Sequence, residues 1–190
     1  PVIDGGWSEA VISVSSLPRS IEWLETVAKW QVRSRGATDA ALLRHWGLPA
    51  HARAEEALLC NPGDQSGCVR LVRFEGVPQV QIRSGAQAWE PGGLYSLMTR
   101  SRDTDGAFAR HVALGYGGVS DPISFDYLGV QLKNVVLRGP DGVNLAIYER
   151  VRPPLGGWTT IRGLSSPFNA MQMVRDRDRA RDFYQRALGY

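Results

Sequence analysis

The chain has 190 residues, 43% hydrophobic and 22% charged. That balance fits one or two globular domains with a sizeable core and excludes a disordered polypeptide. No apolar run approaches the roughly 20 residues that span a bilayer, and the formal net charge is only +3. All basic residues except Lys29 and Lys133 are arginines, and they alternate with acids, as in RSRDTD (Arg100 to Asp105) and VRDRDRARD (Val174 to Asp182). A nucleic-acid binder shows a one-sided basic stripe with stacking aromatics instead, so neither nucleic acid nor membrane is an expected partner. The opening PVIDGGWSEA has no basic stretch followed by an apolar one, so no secretory signal is expected and a cytoplasmic location is.

In chain order, Ser13 to Trp30 reads as a strand end, a polar turn and an amphipathic helix. A short helix follows over Thr38 to Trp46 and stops at Gly47 and Pro49. Three strands are predicted over Glu56 to Cys60, Cys68 to Phe74 and Gln79 to Ser84, separated by the turn compositions NPGDQSG and EGVP. Cys60 and Cys68 flank the first of these turns. They read as two free thiols at the ends of neighbouring strands; a hairpin disulfide is geometrically possible but disfavoured in a reducing cytosol. No CxxC or nearby His pair suggests zinc. A second strand, turn and helix run from Met98 to Tyr116. Strands are then predicted over Phe125 to Val130, Asn134 to Arg138 and Asn144 to Glu149, the last two joined by a hairpin turn at GPDG. VRPPLGGW, Val151 to Trp158, reads as a linker.

The end of the chain repeats its beginning. Aligned without gaps, Val14 matches Val174, Arg19 matches Arg179, and Trp23-Leu24 match Phe183-Tyr184. ALGY closes the middle segment at Ala113 to Tyr116 and recurs at Ala187 to Tyr190. Three strand-turn-helix starts therefore fall near residues 7, 94 and 169, which predicts a repeated supersecondary unit. The organisation expected is a module over 1–150, made of units at about 7–90 and 94–150, a linker at 151–166, and the start of a second module at 167–190. One strand and one helix cannot bury their apolar faces alone. The expectation is therefore that the native chain extends past Tyr190 or that the tail docks on a partner chain.

VSSLPRSIEWL (Val14 to Leu24) resembles the opening pattern of the glyoxalase, bleomycin-resistance and extradiol-dioxygenase group, the vicinal-oxygen-chelate superfamily. VRDRDRARDFYQRALGY (Val174 to Tyr190) resembles it more closely, and VVLRGPDGVNLAIYE (Val135 to Glu149) resembles the closing strand pair. The resemblance implies an α+β fold in which paired βαβββ units form a curved mixed sheet around a cleft. It also implies pairing of units, within a homodimer or with a second module. In the metal enzymes of the family, ligands project from the strands and a divalent ion polarises two vicinal oxygens of the substrate.

Carried over residue by residue, the ligand position of the first strand holds Glu9. That of the second unit holds Ser96 or Leu94, depending on the alignment offset, and that of its last strand holds Ala146. The third start holds Asn169. Glu149 lies three residues beyond Ala146 and, by strand alternation, faces away from the cleft. At most one carboxylate of the metal set remains, and no metal cofactor is expected in this module. His45, His51 and His111 lie on or after predicted helices and read as surface or capping residues.

Glu9 reads either as a cleft carboxylate able to act as a general base or as a partly solvated strand-end residue. Trp7, Trp89 and Tyr95 are candidates for lining an aromatic-ligand pocket, with core packing as the plainer alternative. Arg83 either points inward to hold a carboxylate or lies exposed. The function expected is binding of a small organic, aromatic or oxygenated molecule in the cleft without the usual metal. Two alternatives stay open. One is a lyase, isomerase or extradiol dioxygenase of the same superfamily using Fe, Mn, Zn or Ni; the other is a non-catalytic structural or dimerisation module.

Overall fold

A computed structural model of the chain describes residues 8–81, 85, 87, 90–156 and 161–189. The first unit runs β1 (Glu9–Ser13), α1 (Leu17–Val27), β2 (Gln31–Ala37), α2 (Ala40–His45), β3 (Arg53–Cys60) and β4 (Cys68–Glu75). The second runs β5 (Leu94–Arg100), α3 (Thr104–Ala113), β6 (Ile123–Tyr127), β7 (Val130–Arg138) and β8 (Asn144–Arg152). A third start follows as β9 (Asn169–Gln172) and α4 (Arg177–Leu188).

The repeated starts are built by one local device. Before α1, α3 and α4 the capping residue is Ser16, Asp103 and Asp176, and each side-chain oxygen accepts the backbone N–H three residues on, from Arg19, Gly106 and Arg179. Such a cap satisfies one of the donors that every helix start leaves without an intrahelical partner. Helix α1 then buries Leu17, Ser20, Trp23, Leu24 and Val27, spaced for one face of a 3.6-residue period. Helix α4 buries nothing, and its Phe183 and Tyr184, 58% and 40% exposed, pack on each other edge to face.

Each unit closes its sheet in the same way. The sheet orders are β1-β4-β3-β2 and β6-β7-β8-β5-β9. In each unit the first strand pairs parallel with the last, β1 with β4 and β5 with β8, as a βαβββ connection requires. Strand β9 adds antiparallel to the free edge of β5. One face of each sheet packs on α1 and α3 into a single core that includes Trp23, Leu24, Leu59, Leu71, Leu137 and Leu145. The opposite faces are called the open faces below. Helix α2 folds over one end of the first open face, where Leu43 and Trp46 pack against Ala54, Val72 and Phe74.

Several expectations are corrected. Strand β2, QVRSRGA, is exposed at every position. It is an edge strand held by its ladder to β3, so no apolar alternation marks it. The strand expected through Val130 breaks at Leu128 and Gly129, both at positive φ, which form the two-residue turn joining β6 to β7. The strand expected over Gln79 to Ser84 is not formed at residues 79–81, and 82–84 lie outside the described residues. The GPDG turn is present, with Asp141 and Gly142 at positive φ. Cys60 and Cys68 are not free thiols but are joined in a disulfide. The register explains why: Leu59 faces Val69 across the β3–β4 ladder, so the next two residues lie directly opposite, with Cα atoms 4.5 Å apart.

Residues 164–166, before β9, are tied to both units. Leu164 is fully buried, its N–H donates to Ala28 O, and its carbonyl accepts the Trp30 indole N–H. The Ser165 N–H donates to Arg100 O. The Ser166 hydroxyl donates to Asp64 in the turn closed by the disulfide, at 2.6 Å.

Candidate functional site

Strand alternation assigns each side chain of β1, β3 and β4 to a face. Ala57, Leu59, Val69 and Leu71 go to the core, which leaves Glu9, Glu56 and Arg70 on the open face. There they converge. Arg70 Nε donates to Glu9 Oε1 at 2.7 Å and Nη2 donates to Glu9 Oε2 at 2.8 Å, a bidentate pair. The third guanidinium nitrogen, Nη1, donates to Glu56 Oε1. The three side chains are 29%, 17% and 19% exposed in the order Glu9, Glu56, Arg70, so the cluster is half-buried. Hydrogen bonds to Glu9 foremost hold the guanidinium above its ordinary pKa, which locks its charge in place.

This cluster bears on the metal that the fold family implies. A divalent ion needs several oxygen or nitrogen donors converging on open space. Glu9 occupies the expected first-strand position, but a guanidinium already holds both of its oxygens and also bridges to Glu56. Ala146, at the last-strand position of the second unit, has no donor. Among the described residues no group of three His, Cys, Asp or Glu side chains could hold a metal ion. The described residues do not fit the family's ion.

The other candidates are dispersed. Ser96 stands on β5 in the second sheet, buried, with no hydrogen-bond partner for its hydroxyl among the described residues. Tyr95, also buried, is the extra residue where β5 bulges against β9. Its carbonyl accepts the Asn144 side-chain amide at 3.0 Å. Glu9 and the pair Tyr95–Ser96 thus belong to different sheets. Trp7, Arg83 and Trp89 lie outside the described residues. Glu149 points to the helix side, where its carboxylate accepts the Thr104 N–H that opens α3.

His111 corrects the reading of the histidines. It is fully buried, between the two units rather than on the surface. The Trp23 indole N–H donates to His111 Nδ1 at 2.9 Å. Indole nitrogen only donates, so Nδ1 carries no proton. The Nε2–H then donates to Gly117 O at 3.0 Å, which makes the ring the neutral Nε2–H tautomer. Burial pushes its pKa below the ordinary histidine value. A signal existed: with Thr104 and Ala107, His111 lies at helical spacing on the one buried stripe of α3. The convergence of Arg70 with Glu56 had a weaker one, in charged residues interrupting the apolar runs CVRLVRFE and RAEEALLC.

No sequence family model matches the chain, and no curated protein matches it. Solved structures do. A glyoxalase family protein from Bacillus cereus superposes with a TM-score of 0.64 at 20% identity, over 79% of this chain and 95% of that one. Glyoxalase I from Zea mays superposes with a TM-score of 0.65 at 17% identity, over 97% of this chain and 55% of that one. The chain thus spans about half the length of the maize protein. At these identities the likeness speaks for architecture alone. Together with the two βαβββ units and their parallel first-to-last strand pairing, it establishes that this chain has the vicinal-oxygen-chelate fold.

Proposed function

We propose that the chain binds a small organic molecule on the open face of its sheets and does so without a resident divalent metal. The observation that carries this reading is the Arg70 guanidinium, held between Glu9 and Glu56 at the family's first-strand ligand position. It supplies internally the positive charge that an ion would otherwise bring, and it engages both oxygens of Glu9 and one of Glu56. The fold's pairing of units favours a small-molecule cleft over an extended macromolecular surface.

The test has two parts. Metal content is measured by inductively coupled plasma mass spectrometry on untagged protein purified without chelator. The expected content is far below one ion per chain; stoichiometric iron, manganese, zinc or nickel would overturn the metal-free reading in favour of a lyase, isomerase or dioxygenase. In parallel, the melting midpoint is recorded against a panel of small aromatic and oxygenated compounds. A ligand that binds only the native state raises the midpoint. A panel without effect would overturn the binding reading and leave a structural or dimerisation module.

A further inference from the structure

Strand β1 differs from its counterparts in one respect. Ala10, Leu97 and Ala170 each stand six residues before a helix cap, which is Ser16, Asp103 and Asp176 in turn. Strands β1, β5 and β9 therefore align position for position. Strands β5 and β9 are joined edge to edge, whereas among the described residues no strand pairs with the outer edge of β1. Strands β2 and β6 correspond to each other, and both end their sheets. Of the first unit's two outer edges, β1 alone is open where its equivalent in the second unit is paired.

The edge is one that can pair. In a parallel ladder, alternate residues turn both backbone groups to the same neighbour. Ser8 O accepts the Cys68 N–H, and the Val14 N–H donates to Val72 O, so Ala10 and Ile12, in step with them, also turn to β4. Glu9, Val11 and Ser13 turn outward. Their equivalents on β5 are Ser96, Met98 and Arg100, where the backbone carbonyls of Met98 and Arg100 accept N–H groups from Phe168 and Ser165. Edge strands that must stay single carry charge or irregularity that discourages pairing. Strand β2 has both, with Arg33 and Arg35 exposed and a register shift between Val32 and Ser34, and β6 carries the exposed Asp126. Strand β1, EAVIS, has a single charge, and Arg70 already holds it. Its Val11 is 49% exposed.

The β5–β9 ladder also sets the geometry. Leu97 faces Ala170, Ser96 faces Met171 and Met98 faces Asn169. Equivalent positions thus meet at the centre and exchange on either side of it. That is two-fold symmetry, and a two-fold contact can form between identical strands. We infer that β1 pairs antiparallel with β1 of a second copy of this chain, centred on Ala10. Glu9 then faces Val11 of the partner subunit, and Val11 faces Glu9 of the partner subunit, so no like charges stand directly opposite. The outward N–H and C=O groups of Glu9 and Val11 gain partners. A two-fold axis perpendicular to the sheet keeps both open faces on one side, so the two Glu9–Arg70–Glu56 clusters share one continuous surface. This pairing goes beyond the small-molecule reading and stands without it.

The test is sedimentation equilibrium of the whole chain over a concentration series, in which the average mass rises reversibly from one chain to two. Val11→Pro removes an N–H that the ladder to β4 does not use, and Val11→Glu sets like charges opposite each other twice in each pair. Each raises the dissociation constant about tenfold or more, and a cooperative melt in dilute solution shows that the variant is folded. Val11→Lys, which faces the same carboxylate with the opposite charge, keeps the pair. Val32→Glu on the outer edge of β2 leaves it unchanged. The central residues belong to a pair with Cα atoms about 4.5 Å apart, within disulfide reach, so mild oxidation of Ala10→Cys gives a covalent dimer. A mass of one chain at every concentration overturns the inference. A dimer that survives both Val11→Pro and Val11→Glu, or that Val32→Glu dissociates, overturns β1 as its seam. A dimer that Ala10→Cys fails to cross-link, or that Val11→Lys weakens as much as Val11→Glu, overturns the register.

Discussion

The two units share one backbone plan and treat charge on their open faces in opposite ways. On the first sheet, Arg70 bridges Glu9 and Glu56, leaving Glu56 Oε2 buried without a partner among the described residues, and α2 covers the adjoining end. On the second, Arg138 and Arg150 each have a buried Nε without an acceptor among the described residues, and the acids Asp126 and Glu149 of β6 and β8 lie on the opposite side of the sheet. A repeated fold thus does not repeat its chemistry. The first face joins its charges to one another, and the second leaves two guanidinium nitrogens without an acceptor among the described residues. Between them lies the seam of α1 and α3, where Trp23 and His111 join the units.

The seam carries the largest expected effect, because both faces depend on it. Trp23 is almost fully buried and also donates to His111. Trp23→Ala removes a large side chain and leaves His111 Nδ1 without its donor, for a loss of about 3–5 kcal/mol. Urea unfolding followed by circular dichroism measures it. A loss well under 1 kcal/mol would mean that the units are held by their sheets rather than by this seam.

The first open face comes next. Arg70→Ala leaves Glu9 and Glu56 side by side with no counter-charge, and should cost about 2 kcal/mol, less than a fully buried pair because these side chains keep some solvent contact. The same variant frees two carboxylates on one face. It should therefore gain measurable protection from Mn or Zn in a thermal melt that the parent chain does not show. Protection of the parent to the same degree would remove the distinction between an internally closed face and a metal-ready one.

The seam also predicts a pH dependence. The folded state holds His111 neutral, with a pKa below its unfolded value of about 6.5. Below that value the unfolded chain takes up the proton and the folded chain resists it. The stabilisation is therefore complete above about pH 6.5 and is lost as the pH falls toward the folded pKa, with a slope of at most about 1.4 kcal/mol per pH unit. His111→Asn keeps an acceptor for the Trp23 indole but cannot titrate. Melting midpoints between pH 7.5 and 5 should fall more steeply for the parent than for this variant; equal slopes would remove His111 as the cause.

What could be read from the sequence follows how local each cause is. The three helix starts announce themselves because a Ser or Asp cap and the N–H it accepts lie three residues apart, and GPDG declares its turn within four residues. Strand β2 escapes because an edge strand needs only ladder hydrogen bonds, so QVRSRGA shows no apolar alternation. The disulfide depends on the β3–β4 register, which places Cys60 opposite Cys68 only once Leu59 is known to face Val69. The Glu9–Arg70 pair joins residues 61 apart in sequence, and no spacing rule spans that distance. Glu9 was legible as an open-face carboxylate, whereas the cation that closes it was not.

The smallest effect is the sharpest test of the comparison. Arg150→Met removes a guanidinium of similar length whose Nε has no partner among the described residues. By the same accounting that costs about 2 kcal/mol at Arg70, this change should fall within about 0.5 kcal/mol of the parent, or stabilise it slightly, because a partly buried unpaired charge is traded for an apolar side chain. Arg70 variants should then lose stability, while Arg150 variants keep it. If Arg150→Met were as destabilising as Arg70→Ala, the arginine would be part of the scaffold. The second open face would then be closed on itself in the manner of the first.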